Sequence, residues 1–286
     1  MIHAIIALGS LGFGFGVALS LASKKFAVAI DPREEALLNA LPGTNCGACG
    51  FPGCQGLAKA ILSGEAETNA CTAGGADVTR SVSAVMGVEA VIKEKVVAVI
   101  MCKGGRKEAL EKFRYAGVQD CKAAALIAGG SKACGFGCLG LATCERVCPY
   151  DAIVMDDNAL PVVIEEKCTG CSLCAVNCPK RVIRMLPTAG KIHIRCNSLD
   201  KGGATRKKCS VGCIACKKCE KECPAGAIAI RDNLAVIDPS KCDNCRKCVV
   251  VCPTDSIENY FPGEPRFASL AEKSAPASAA PQEKKS

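Results

Sequence analysis

Between Cys168 and Cys178 the chain reads "CTGCSLCAVNCP": four cysteines at intervals of three, three and four, the last followed by proline. These thiols cannot all close on one another, because a disulfide demands a restricted Cα separation and side-chain direction. They can converge on one iron-sulfur cubane. The run is repeated. "CIACKKCEKECP" supplies Cys213, Cys216, Cys219 and Cys223, and "CDNCRKCVVVCP" supplies Cys242, Cys245, Cys248 and Cys252. The whole chain carries 24 cysteines in 286 residues. Such density belongs to secreted disulfide scaffolds or to metal proteins of a reducing compartment, and the spacing selects metal.

Upstream of the first run, "CGFGCLGLATCERVCP" gives Cys134, Cys138, Cys144 and Cys148 at looser intervals of four, six and four. The connectors also match: "CPYDAIVMDDNALPVVIEEKC" against "CPAGAIAIRDNLAVIDPSKC", each a turn, a short strand, a hairpin and a second strand. The chain therefore contains a duplicated two-cluster module of the bacterial ferredoxin type. In such modules the fourth cysteine of each run ligates the other cluster. Cys148 is expected to join Cys168, Cys171 and Cys174, while Cys178 joins Cys144 with Cys134 and Cys138. In the second module Cys252 joins Cys213, Cys216 and Cys219, and Cys223 joins Cys242, Cys245 and Cys248.

Nearer the N-terminus, "NCGACGFPGCQGLAKAILSGEAETNAC" supplies Cys46, Cys49, Cys54 and Cys71, with a short helix over "GCQGLAKAIL" leading to the distant fourth ligand. Zinc is the competing reading for such a set. The glycines let backbone crowd a cluster, which favours iron-sulfur. Four cysteines remain. Cys102 ends the strand "KVVAVIMC" and Cys196 ends the similar "KIHIRC", followed by Cys121 and Cys209. Together they are expected to hold a sixth 4Fe-4S cluster, with the two strands side by side. The irregular upstream run leaves Cys134 and Cys138 open as partners for Cys102 instead.

Other motifs carry less. "GFGCLG", from Gly135 to Gly140, matches a dinucleotide fingerprint but follows no strand and contains Cys138, so it reads as a cluster loop. His193, between Ile192 and Ile194, reads as a surface histidine on the opposite strand face. The run Arg206 to Lys208 reads as a solvated face, with docking of an acidic redox protein as the alternative. Walker, triad and flavin signatures are absent from the sequence. The formal charge of +8 does not argue for nucleic acid. With every thiol ionised on six oxidised clusters the holoprotein sits near about −4.

Ile2 to Ala22 contains no charged residue. About 20 residues at 1.5 Å rise span a bilayer core, which predicts a transmembrane helix over residues 1–26. Lys24 and Lys25 follow the apolar run, placing the rest on the cytoplasmic side of the plasma membrane. Gly12 and Gly16 form a small-residue face that could pack on a partner helix. The "ASLAEKSAPASAAPQEKKS" terminus is expected to be a disordered tail over 263–286.

This order of parts resembles the B subunit of the Rnf complexes: a membrane helix, "NCGACGFPGC" with a distant cysteine, then ferredoxin modules. The two modules resemble the longer, clostridial-type form. The resemblance implies an α+β chain: a four-cysteine 4Fe-4S domain over 30–90, a connecting segment over 91–133, module one over 134–186, a second connector over 187–212, and module two over 213–262. It also implies a membrane-anchored electron-transfer subunit of an ion-translocating ferredoxin:NAD+ oxidoreductase. Such a subunit accepts electrons from soluble ferredoxin and passes them to membrane and flavin-carrying partners, without a catalytic site beyond electron transfer. A soluble polyferredoxin, or the electron-transfer subunit of a hydrogenase or dehydrogenase, is the alternative. A corrinoid-binding methyl-transfer protein would need a domain for which there is no room.

Overall fold

The computed structural model describes residues 2–25 and 31–259. The expected tail lies outside them. The first element is one helix, α1 (Ile2–Lys25), and Phe13, Phe15, Leu19 and Leu21 on it are exposed. Among the described residues no helix is long and apolar enough to cross a membrane. The side chains of residues 2–8, 10–11 and 24–25 lie outside the description.

Three helices follow. Asp31 caps α2 (Pro32–Ala40) by accepting from the Arg33 amide, with proline at the first helical position. The second is α3 (Gly53–Leu62), the helix expected from "GCQGLAKAIL". The third, α4 (Gly75–Met86), ends on left-handed Gly87. Leu37, Leu41, Leu57, Ile61 and Val82 form their shared core, with Cys49, Cys54 and Cys71 packed on it.

Beyond this unit the chain is built twice on one plan. The first copy holds β1 (Val96–Ile100), α5 (Cys121–Leu126), α6 (Thr143–Arg146), β2 (Ile153–Met155), β3 (Pro161–Val163), α7 (Leu173–Val176) and β4 (Ile183–Pro187). The second holds β5 (Ile192–Ile194), α8 (Gly202–Lys208), α9 (Lys218–Glu222), β6 (Ile228–Arg231), β7 (Leu234–Ile237), α10 (Lys247–Val250) and β8 (Ile257–Asn259). The connector hairpins are the antiparallel pairs β2–β3 and β6–β7. In each copy a leading strand also pairs antiparallel with the trailing one: β1 with β4, from Val96 opposite Pro187 to Ile100 opposite Ile183, and β5 with β8.

This pairing corrects an expectation. β1 and β5 are not sheet neighbours, because each is occupied by the trailing strand of its own copy. The chain just beyond them does meet: the Lys103 amide donates to the Arg195 carbonyl at 2.9 Å. Each copy has its own apolar core, Val97, Val99, Ile153, Leu160 and Ile183 in the first, Ile192, Ile194, Ile228 and Leu234 in the second. Cysteines complete both cores: Cys168 and Cys174 in one, Cys213, Cys219 and Cys248 in the other. With 4% aromatic residues and no tryptophan, thiols take part of the core volume that large rings would fill.

His193 is buried, not on the surface. Alternation exposes every second residue only where one face of a strand is open, and all three residues of β5 are buried. His193 lines a cleft between the copies with Met101, Arg184 and Leu234.

Candidate metal centres

The four cysteine loops that end in Cys-Pro follow the same backbone path, marked by left-handed residues. Two residues after the first cysteine stand Gly140, Gly170, Ala215 and Asn244, with φ of 73°, 74°, 53° and 58°. Two before the third cysteine stand Ala142, Ser172, Lys217 and Arg246, with φ between 58° and 64°, each opening a short helix. Three after each Cys-Pro cysteine stand Asp151, Arg181, Gly226 and Asp255, again with positive φ. Each non-glycine left-handed residue costs on the order of 1 kcal/mol or more. The strain recurs because only this path turns the thiols inward.

The backbone thereby aligns what the cysteines alone did not. In the upstream loop Gly140 follows Cys138, Ala142 precedes Cys144 and Asp151 follows Cys148, so Cys138 takes the place that Cys168, Cys213 and Cys242 take in theirs. Leu141 stands where Cys171, Cys216 and Cys245 stand in the other loops. Cys134 lies before the loop.

A thiol from another element stands beside this loop. Asp120 caps α5 by accepting from the amides of Lys122 and Ala123. Thr143 joins this cap to α6: its hydroxyl donates to Asp120 Oδ2 at 2.9 Å and accepts from the Cys121 amide at 2.7 Å. Cys121 is thereby held beside Cys144. Burial pushes the Cys144 thiol up to about 12, and the charges of Cys121 and Cys178 push the same way. Burial also raises Cys138, which Cys102 and then Cys144 reinforce.

Cys134 lines a cavity with Cys102, Cys196 and Cys209. This departs from the expected quartet: Cys121 is not on this cavity and Cys134 is. Gly104 permits the closure, since a Cβ there would stand 2.8 Å from Cys209 Sγ. Cys209 is raised by burial and by the neighbouring Cys102 and Cys134.

The remaining cysteines are placed as follows. Cys46, Cys49, Cys54 and Cys71 line one cavity, and burial followed by the charges of the other three raises Cys71. Cys213, Cys216, Cys219 and Cys252 line another. Burial, then Cys213, Cys216 and Cys252, pushes Cys219 up to about 12. Cys248 is pushed up to about 11 by burial, then Cys242, Cys245 and Cys223. Cys174 is pushed up to about 12 by burial, then Cys168, Cys144 and Cys171. Burial also raises Cys171, on which the charges of Cys148 and Cys46 act.

Amides aim at these sulfurs. Four residues after the Cys-Pro cysteine, the amides of Ala152, Ala227 and Ser256 donate to Cys148, Cys223 and Cys252 at 3.3–3.4 Å. Burial works against ionisation of Cys252, yet donors from Ser256 and Thr254 hold its thiol below the usual range. Such donors favour thiolate and stabilise the bound group. The donor set, thiolates backed by amides in loops of one shape, fits 4Fe-4S clusters. Among the described residues no three His, Cys, Asp or Glu side chains form a group that could hold a metal ion.

The thiol sets stand in file. Cys46 acts on Cys171, and the Tyr150 and Thr44 hydroxyls meet there at 3.3 Å. Cys144 acts on Cys174. The Cys138 amide donates to Cys102 Sγ at 3.4 Å. Burial pushes Cys196 up to about 12, with Cys213 and Cys102 adding to it. Cys216 and Cys245, in the second copy, are exposed.

Known proteins share these parts. An Fe-S cluster family model matches residues 41–73, and two 4Fe-4S dicluster domain models match residues 136–185 and 212–256. The chain is 42% identical over 258 residues to the B subunit of the ion-translocating oxidoreductase complex of Methanosarcina acetivorans, covering 90% of this chain and 98% of the relative. It is 43% identical to the B subunit of the Na(+)-translocating ferredoxin:NAD(+) oxidoreductase complex of Acetobacterium woodii, covering 90% and 78%. It is 40% identical to the proton-translocating counterpart of Clostridium ljungdahlii, covering 92% and 94%. Likeness of this extent, over 90% or more of this chain, makes the chain a member of the family of ion-translocating oxidoreductase B subunits, the Rnf B subunits its motifs resemble.

Proposed function

We propose that this chain is the electron-transfer subunit of an ion-translocating ferredoxin:NAD+ oxidoreductase and holds six 4Fe-4S clusters along one path. The observation that carries the reading is the file of thiol sets from Cys46 to the set of Cys213, which includes the exposed Cys216. Clusters held there supply one-electron redox chemistry at each station. The proposed ligand sets are Cys46, Cys49, Cys54 and Cys71; Cys148, Cys168, Cys171 and Cys174; Cys121, Cys138, Cys144 and Cys178; Cys102, Cys134, Cys196 and Cys209; Cys213, Cys216, Cys219 and Cys252; and Cys223, Cys242, Cys245 and Cys248. The residues' own work is to fix these positions, exclude water from the buried sulfurs and aim amides at them.

Soluble ferredoxin is the proposed donor, docking on the second copy. Lys217, Lys218, Arg246 and Lys247 are exposed beside Cys216 and Cys245, a basic rim suited to an acidic redox protein. The Arg206 to Lys208 run is a weaker candidate, because Lys208 pairs with Asp200 at 2.8 Å. Reduced ferredoxin should bleach the visible iron-sulfur absorbance of the isolated protein rapidly, and NADH should not. Rapid reduction by NADH alone would rule out the relay role.

The other end of the file is proposed to face the membrane partners, with α1 anchoring the protein in the bilayer and its clusters on the cytoplasmic side. The uncharged run from Ile2 to Ala22, the helix over it, and its exposed Phe13, Phe15, Leu19 and Leu21 support this. Carbonate-washed membranes should retain the full chain, and a shortened chain beginning near Asp31 should be released with its iron. Full-length protein found in the wash would remove the anchor. One helix cannot conduct ions. Relatives of nearly equal identity are named for sodium and for protons, which supports ion selection in another subunit.

A further inference from the structure

Among the described residues two cationic side chains are buried, Lys132 at 3% exposure and Arg195 at 7%. Both line the cavity shared by Cys102, Cys134, Cys196 and Cys209. Arg195 is neutralised by an ion pair with Glu258. Lys132 is not: its ammonium makes one hydrogen bond, to the Gly104 carbonyl at 2.6 Å. An ammonium removed from water without a counter-charge is strongly disfavoured. Thiolates of a cluster held in the same cavity would be the anions that offset it. Its charge reaches two of the thiol sets, acting on Cys209 and on Cys138.

We propose that Lys132 is a built-in counter-ion that raises the reduction potential of the cluster held between the two copies, so that an electron entering the file settles there first. Adding an electron adds negative charge, and a fixed buried cation lining the cavity of one thiolate set favours that step there over the sites it does not line. The surface lysines, screened by water, have no comparable effect. Lys132 acts through the cluster's thiolates and is a tuning residue. Its backbone is tied down by the bridge to Glu111, so the charge is fixed in place.

The inference rests on the ligand set proposed above, and the experiment separates the two. Potentiometric EPR titration of the anaerobic full-length protein resolves the reduction steps, and the step lost in Cys134→Ala identifies the cluster. If the step lost in Cys134→Ala survives in Cys102→Ala, the ligand set fails whatever Lys132 does. With the step identified, Lys132→Met should lower its reduction equilibrium constant at least ten-fold, about 59 mV for one electron, with iron content unchanged. Lys132→Arg should restore it. Should Lys132→Met lose iron, Glu258→Gln decides: freeing the Arg195 charge should raise the same potential. An unshifted step in an iron-replete Lys132→Met protein, or in Glu258→Gln, overturns the proposal.

Discussion

Cys102→Ala combined with Cys121→Ala should strip about eight irons from the purified protein, whereas Cys102→Ala combined with Cys134→Ala should strip about four. The difference follows from which thiols share a cavity. Cys102 and Cys134 line the same one, so the second substitution finds nothing left to remove. Cys121 is tied through Thr143 to the loop of Cys144, so its loss empties a different site. Grouping by strand similarity, with Cys102, Cys121, Cys196 and Cys209 together, gives the reverse: four irons for the first pair and eight for the second. Iron and acid-labile sulfide assays on the two double variants decide between them.

The reason the grouping was hard to read lies in Leu141. Cysteine spacing was legible wherever the run was complete, and the loops after Cys168, Cys213 and Cys242 turned as their sequences indicate. The hairpins β2–β3 and β6–β7 were legible too, because a hairpin is encoded by adjacent residues. In the upstream run a leucine stands where the other runs have their second cysteine, and matching cysteine to cysteine places Cys134 in the run instead. A cue was present: Cys138, Leu141, Cys144 and Cys148 keep the intervals three, three and four. The pairing of β1 with β4 had no such cue. It joins segments some 87 residues apart, and nothing local records which distant edge a strand will occupy.

His193 shows the same limit and yields a second large effect. Burial, then the charges of Arg195 and Lys191, holds its imidazole down at about 4, against 6.5 for a free histidine. The fold therefore keeps His193 neutral while the unfolded chain takes up a proton near 6.5. Stability contributed by the neutral ring is complete above pH 6.5 and is lost progressively as the pH falls toward 4. The loss amounts to about 3 kcal/mol from this residue. Between pH 7 and pH 5 about 2 kcal/mol of this should appear as a shift in the denaturant midpoint of the anaerobic protein, and His193→Gln should show a shallower dependence. Equal slopes in the two proteins would mean that His193 is not the titrating group.

The cavity between the copies takes two walls from each: Cys102 and Cys134 from one, Cys196 and Cys209 from the other. It is owned by neither. A chain with a single copy could keep every loop intact and still lack this pocket, since half its thiols would be missing. Doubling the unit therefore yields more than twice the original inventory. The added place exists only when the halves are docked, which makes their relative orientation, and not only their separate folds, something selection can act upon.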